Sequence, residues 1–107
     1  MASSLEYVQY VCEQMGDAGE ITYKKMFGEY TIYCNSKVLG MICDNQVFIK
    51  PTISGEQIIP KAIKESPYQG AKPYVVLQEL ENKELITRFI LATYDELPKP
   101  KQKKEII

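Results

Sequence analysis

The sequence contains no histidine and no tryptophan, and its cysteines number three: Cys12, Cys34 and Cys43. Without histidine, a serine or cysteine nucleophile loses its commonest activating base, and zinc loses one of its usual ligands. An odd cysteine count with no CxxC pair argues against a disulfide framework and a zinc site alike, so these residues are expected to be small apolar core side chains. No apolar run approaches the ~18 residues needed to span a membrane. Nor does the N-terminus show a basic stretch followed by an apolar one, as a secretory signal does. A cytoplasmic location is therefore expected, with no membrane partner. Gly28 and Gly40 form neither a P-loop nor a GxGxxG turn. Asp95 with Glu96 and Glu79 with Glu81 read as solvated surface acids, because an acid–base pair needs a pocket to separate its pKa values. No catalytic residue, metal or cofactor is assigned, and the protein is read as non-enzymatic.

What is present is ordinary for a folded domain. With 107 residues, 45% hydrophobic and 25% charged, the chain fits one domain with a real core. Net charge is −1 but unevenly placed. Residues 1–20 hold four acids and no Lys or Arg, whereas residues 99–107 hold Lys99, Lys101, Lys103 and Lys104 against Glu105. Residues 1–98 are thus read as the domain and 99–107 as a basic flexible tail. Such a tail could touch phosphates, but four lysines give only a weak, salt-sensitive contact, and a solvated end is the simpler reading.

Along the chain, Ser3 and Glu6 form a capping box, and Leu5, Val8, Cys12 and Met15 follow on one helical face. Gly16 offers a C-terminal stop, so a helix is expected near residues 4–15. Tyr30–Cys34, Lys37–Cys43 and Gln46–Lys50 are β-rich runs separated by Asn35-Ser36 and Asp44-Asn45. Two short loops between such runs predict an antiparallel meander. Ser54–Gln57 opens a short helix limited by Pro60, a short strand is placed near Tyr68, and a further one at Tyr74–Gln78. Asn82 caps a last helix with the stripe Leu85, Ile86, Phe89, Ile90, Thr93 and Leu97, ended by Pro98. The expected fold is α+β, a two-layer α/β sandwich in the order α-β-β-β-α-(β)-β-α.

If both loops contain two residues, counting sets the register: Cys34 opposes Lys37, and Cys43 opposes Gln46. One face then carries Thr31, Tyr33, Val38, Gly40, Ile42, Val47 and Ile49, and the other Tyr30, Ile32, Cys34, Leu39, Met41, Cys43 and Phe48. Both faces come out apolar, although an antiparallel sheet covered on one side normally shows polar residues on the other. A homodimer is expected, because a chain this short has few elements with which to cover two faces.

Eight tyrosines are present. Tyr30, Tyr33 and Tyr74 fall on predicted strands, where RNA-stacking aromatics occur in some folds. No RNP-like string accompanies them, so packing in the sheet is preferred. The most distinctive string is Thr22–Tyr33. Within it, Met26 and Phe27 read as a plug between the first helix and the sheet, Gly28 as a bend at strand entry, and Lys24 and Lys25 as exposed neighbours.

Lys25-Met26-Phe27-Gly28-Glu29-Tyr30-Thr31-Ile32-Tyr33 closely resembles the K-M-F-G-G-Y-G-I-Y signature of the TfoX/Sxy N-terminal domain family. The likeness continues into Met41, Ile42 and Asp44, and through Val47-Phe48-Ile49-Lys50, and so covers roughly residues 1–50. Glu29 and Thr31 stand where the family string shows glycine. The resemblance implies a secretion-chaperone-like two-layer fold and a link to regulation of natural competence, in which full-length members act with the cyclic-AMP receptor protein at particular promoters. The chain ends at Ile107, before the C-terminal helical domain expected of such members. The function expected is a non-enzymatic regulatory, protein-interaction module, with a possible protein partner in transcription regulation. Its candidate surface is Lys24, Lys25, Met26, Phe27, Gly28, Tyr30, Ile42 and Val47. The alternative is a nucleic-acid-binding module using Lys24, Lys25 and the lysine tail, which is possible but not favoured.

Overall fold

The computed structural model describes residues 3–98, so the 99–107 segment read as a tail lies outside the described residues. The first helix, α1, runs Leu5–Met15. Its cap is Ser4 rather than Ser3: the Ser4 hydroxyl accepts the Tyr7 N–H at 3.2 Å, satisfying one of the free donors of the first turn. The buried face is Val8, Val11 and Met15, while Leu5, expected on it, is exposed. Gly16 keeps a helical φ of −62° and leads into a 3-10 turn, Gly16–Ala18, instead of stopping the chain in the left-handed region.

Four antiparallel strands follow: β1 (Ile21–Met26), β2 (Glu29–Cys34), β3 (Lys37–Cys43) and β4 (Gln46–Ile49). Each connection is two residues long with φ positive at both: Phe27 and Gly28 (53° and 82°), Asn35 and Ser36 (48° and 72°), Asp44 and Asn45 (52° and 55°). This is the type I′ pattern, whose twist matches that of the strands it joins. The expected three-stranded meander therefore has a fourth strand at its start. Met26 and Phe27 do not plug a junction between helix and sheet, because they form the end of β1 and its turn.

The chain continues as α2 (Ile53–Ile58), β5 (Ile63–Glu65), β6 (Tyr74–Leu77) and α3 (Lys83–Glu96). Asn82 caps α3 as expected, its Oδ1 accepting the Leu85 N–H at 3.1 Å. The strand expected near Tyr68 lies earlier, at β5. All strand pairs are antiparallel, in the order β1-β2-β3-β4-β6-β5. The fold is thus a two-layer α+β sandwich, with six strands in the sheet layer.

One side of the sheet makes the core. Ile32, Ile42, Val47, Ile49, Val75 and Leu77 meet Val8, Val11 and Met15 of α1 and Ile86, Phe89 and Ile90 of α3. Each fully buried aliphatic side chain of this kind contributes ~1.5–3 kcal/mol. Lys37 ties β3 to α3: its ammonium donates to the Tyr94 carbonyl at 3.1 Å and sits 3.9 Å from the centroid of the Tyr94 ring. Helix α2 crosses α3 at Gly55, where an added Cβ would meet Thr93 Oγ1 at 2.6 Å. The Glu96 carboxylate at the end of α3 accepts the N–H groups of Ile53 and Ser54 at 3.3 and 2.5 Å, closing the start of α2.

A bulge in β3 corrects the counted register. The pairs Cys34–Lys37 and Tyr33–Val38 are as expected, but Ile32 opposes Gly40, leaving Leu39 as the extra residue. Beyond it the two sides of the sheet exchange. Thr31, Tyr33 and Val38 share their side with Met41, Cys43 and Phe48, while Ile42, Val47 and Ile49 join Tyr30 and Ile32 in the core. Leu39 is itself fully buried. Gly40 permits the arrangement: a Cβ there would stand 2.0 Å from the Phe48 carbonyl oxygen.

Candidate functional site

The other side of the sheet carries the candidate site. Register places Lys24, Thr31, Met41, Phe48, Val76 and Ile63 in one row across all six strands. Of these, Phe48 is buried, and the remainder reach solvent wholly or in part. The next row pairs Met26 with Glu29, and Cys43 with Gln46. Pro67 and Tyr68, from the β5–β6 connection, close one side of a groove of about 750 Å³ over this end of the sheet. Met26, Met41 and Cys43 supply its sulfur-rich lining, with Phe27 at its mouth. The Thr31 hydroxyl donates to Met26 Sδ at 3.5 Å, which steadies one flexible wall residue.

Glu29 organises the acidic end. Its Oε1 accepts the Ser3 N–H at 3.0 Å and its Oε2 the Asp44 N–H at 2.8 Å. Ser3 Oγ in turn accepts the Asn45 N–H at 2.9 Å, and Asn45 Oδ1 accepts the Ser4 N–H at 3.0 Å. The segment before α1 is thereby stitched to the β3–β4 turn, which is why Ser3 is buried and does not cap the helix. Partial loss of water pushes the Glu29 carboxyl up, but the N–H groups of Asp44 and Ser3 outweigh this and hold it below the usual carboxylate value. Glu29 is therefore an anion at neutral pH.

Cys43 is shifted the opposite way. Burial raises its thiol, and the Glu29 and Asp44 carboxylates raise it further. The group stays a neutral thiol, whereas a nucleophilic cysteine needs a depressed pKa. Cys12 and Cys34 are also raised by burial, and all three cysteines are free. Among the described residues, no group of three or more His, Cys, Asp or Glu side chains could hold a metal ion. The groove suits binding better than covalent chemistry.

Of the expected surface residues, Met26, Phe27 and Gly28 do come together at the β1–β2 turn. Met26 is 41% exposed and Phe27 fully so, at 101%. Lys24 and Lys25 are both exposed. Strand alternation sends them to opposite sides of β1, however, so they form no common basic patch. Lys25 pairs with Tyr30 on the helix side, and Lys24 with Thr31 on the other. Ile42 and Val47 have no exposed surface, and Tyr30 is buried with its ring edge-on to Tyr23 at 5.8 Å. The bulge at Leu39 turns Ile42 and Val47 into the core and away from the surface, whereas Tyr30, though largely buried, lines the groove. Sequence reasoning missed Glu29, Cys43, Asp44, Pro67 and Tyr68. The one available signal was Gly40 inside a strand, which marks a bulge or a close backbone approach.

The groove and the turn at its mouth fall within the 13–97 segment that matches the model of the TfoX N-terminal domain. The chain belongs to the TfoX N-terminal domain family. This TfoX N-terminal domain is also 34% identical over 105 residues to a Spirochaeta aurantia protein, described as an uncharacterized 12.7 kDa protein in the trpE 5′ region. That alignment spans 97% of this chain and 91% of the relative. No helix among the described residues of this TfoX N-terminal domain is long and apolar enough to cross a membrane.

Proposed function

We infer that this TfoX N-terminal domain is a non-enzymatic regulatory module of the cytoplasm that works by binding protein, in the first place a second copy of itself, through the open side of its sheet. The observation that carries this reading is the open side of the sheet, where Met41, Val76 and Ile63 reach solvent on either side of the buried Phe48 with no helical layer over them. Apolar side chains left exposed on a sheet face beside polar neighbours favour an interaction site. Family membership supports a part in transcription regulation of the competence type. The opposite orientations of Lys24 and Lys25 count against a phosphate-binding role.

Light scattering coupled to size exclusion tests the association directly. Met41→Glu, on the open side, should lower the mass to that of a monomer. Leu91→Glu, at an exposed position on α3, should leave the mass unchanged. A wild-type chain that is monomeric at every concentration would sink the homodimer. The regulatory half is tested by transcript profiling after deletion of the gene, and it fails if no transcript changes.

A further inference from the structure

We propose that the β1–β2 turn of one copy docks in the open-side groove of a second copy, with Phe27 as the inserted side chain and the contact repeated by a two-fold axis. This rests on the proposed homodimer and specifies how its surfaces meet.

The first ground is Phe27 itself. It occupies the first central position of a type I′ turn at φ 53°. Asn, Asp and Gly adopt that conformation readily; a bulky aromatic residue does so at a penalty. Its ring is also fully exposed to water. An unfavourable backbone conformation and a wet aromatic ring occur at one residue, and nothing within the described chain compensates for either. Strain retained at an exposed turn points to a contact made elsewhere.

The second ground is the groove beside it. Met26, Met41 and Cys43 line it, with Pro67 and Tyr68 along one side. Methionines adapt to an incoming ring and make favourable sulfur–aromatic contacts. A volume of about 750 Å³ accommodates an aromatic side chain together with the turn that carries it.

Charge is the third. On the open side the exposed Lys24 of β1 lies in the row next to that of Glu29, which borders the groove together with Asp44. Under a two-fold axis Lys24 of each copy can be set against the acids of the other, which steers and orients an encounter. Both halves of the contact lie side by side on one chain, and a two-fold interface requires such a self-complementary patch. That favours a second copy over a foreign segment as the occupant.

The test uses the whole chain in sedimentation velocity across a concentration series, with Phe27→Asn and Cys43→Trp as variants. Wild type should dimerise. Phe27→Asn should weaken the dimer by about 30-fold or more, and should raise the urea midpoint of the monomer, because Asn-Gly suits the turn better than Phe-Gly. A merely structural role for Phe27 would not move these two readouts in opposite directions. Cys43→Trp, which fills the groove, should also be monomeric. Mixing it with Phe27→Asn should restore a heterodimer, since one intact turn then meets one open groove. A dimer unaffected by Phe27→Asn overturns this inference and leaves the homodimer standing. A wild-type chain monomeric throughout overturns both, and leaves the groove to a foreign segment. Failure of the mixture to associate overturns the reciprocal docking. Should Cys43→Trp fail to fold, the Phe27→Asn arm decides alone.

Discussion

The two sides of the sheet are built from similar residues and end in different places. One side, with Ile32, Ile42, Val47 and Ile49, is sealed by α1 and α3. The other, with Met41, Cys43, Phe48 and Val76, is covered only where Phe48 lies buried. Neighbours in sequence, such as Met41 and Ile42, therefore carry different duties. Side-chain chemistry does not distinguish them, since both are large and apolar. Position relative to the Leu39 bulge does. An apolar strand pattern accordingly does not say which of its residues enter the core.

The largest expected effect comes from removing the device that separates the two sides. Gly40→Ala would drive a Cβ into the Phe48 carbonyl, 2.0 Å away, and closest to the Ile49 Cα at 2.9 Å thereafter. It should lower stability by about 4 kcal/mol or abolish soluble expression, as read by urea unfolding. A variant with an unchanged midpoint would mean that the bulge does not depend on glycine.

The adjacent pair gives the sharpest contrast. Ile42→Ala, in the sealed core, should cost about 2–5 kcal/mol. Met41→Ala, half-exposed on the other side, should cost roughly 1 kcal/mol or less, by the smaller apolar area it buries. Urea midpoints at constant m measure both. Equal losses would break the comparison.

A smaller effect is expected in acid. Glu29 and Glu96 each have a folded-state pKa below the ordinary carboxylate value, Glu29 despite the opposing effect of desolvation and Glu96 through the Ser54 and Ile53 hydrogen bonds. A depressed pKa contributes stability that is present above the unfolded value and lost as pH falls through the folded one. Thermal midpoints should therefore decline from about pH 5 downward. Glu29→Gln and Glu96→Gln should each lower the neutral-pH midpoint and flatten the decline. An acid limb equally steep in both variants would show that other carboxylates control it.

The smallest effect belongs to the helical layer. Thr93 Oγ1 is buried without a hydrogen-bond partner among the described residues. Thr93→Val removes an unsatisfied hydroxyl at nearly constant shape, and should leave stability unchanged or raise it by about 1 kcal/mol. A loss of 2 kcal/mol or more in urea unfolding would instead mean that the hydroxyl is satisfied in solution.

Much of the fold was legible because local chemistry and global structure agree. Asn35-Ser36 and Asp44-Asn45 announce their turns, since short polar side chains tolerate positive φ. Asn82 announces α3 by its capping oxygen. Phe27-Gly28 conceals a turn of the same type, because phenylalanine is a poor occupant of that position, and β1 was lost with it. The three-residue β5 has no pattern of its own and exists by pairing with β6. The bulge was the costliest omission: counting carried Ile42 and Val47 to the surface, whereas a single extra residue, Leu39, returns them to the core. The groove was illegible for a different reason. Pro67 and Tyr68 reach Met26 and Cys43 across the whole sheet, a juxtaposition that no local signal encodes.

The run of two-residue turns from β1 to β4 also has a consequence in time. Contacts so close in sequence form quickly, so the four-stranded unit can assemble once residue 49 has been synthesised. The second helix of its cover, α3, is made of residues 83–96 and arrives last. Throughout that interval one surface of the nascent sheet has only α1 over it and the other has no helix, a state in which exposed apolar area favours aggregation. Lys24 and Lys25 on the exposed edge strand β1 then act as guards against edge-to-edge growth while the chain waits for its final helix.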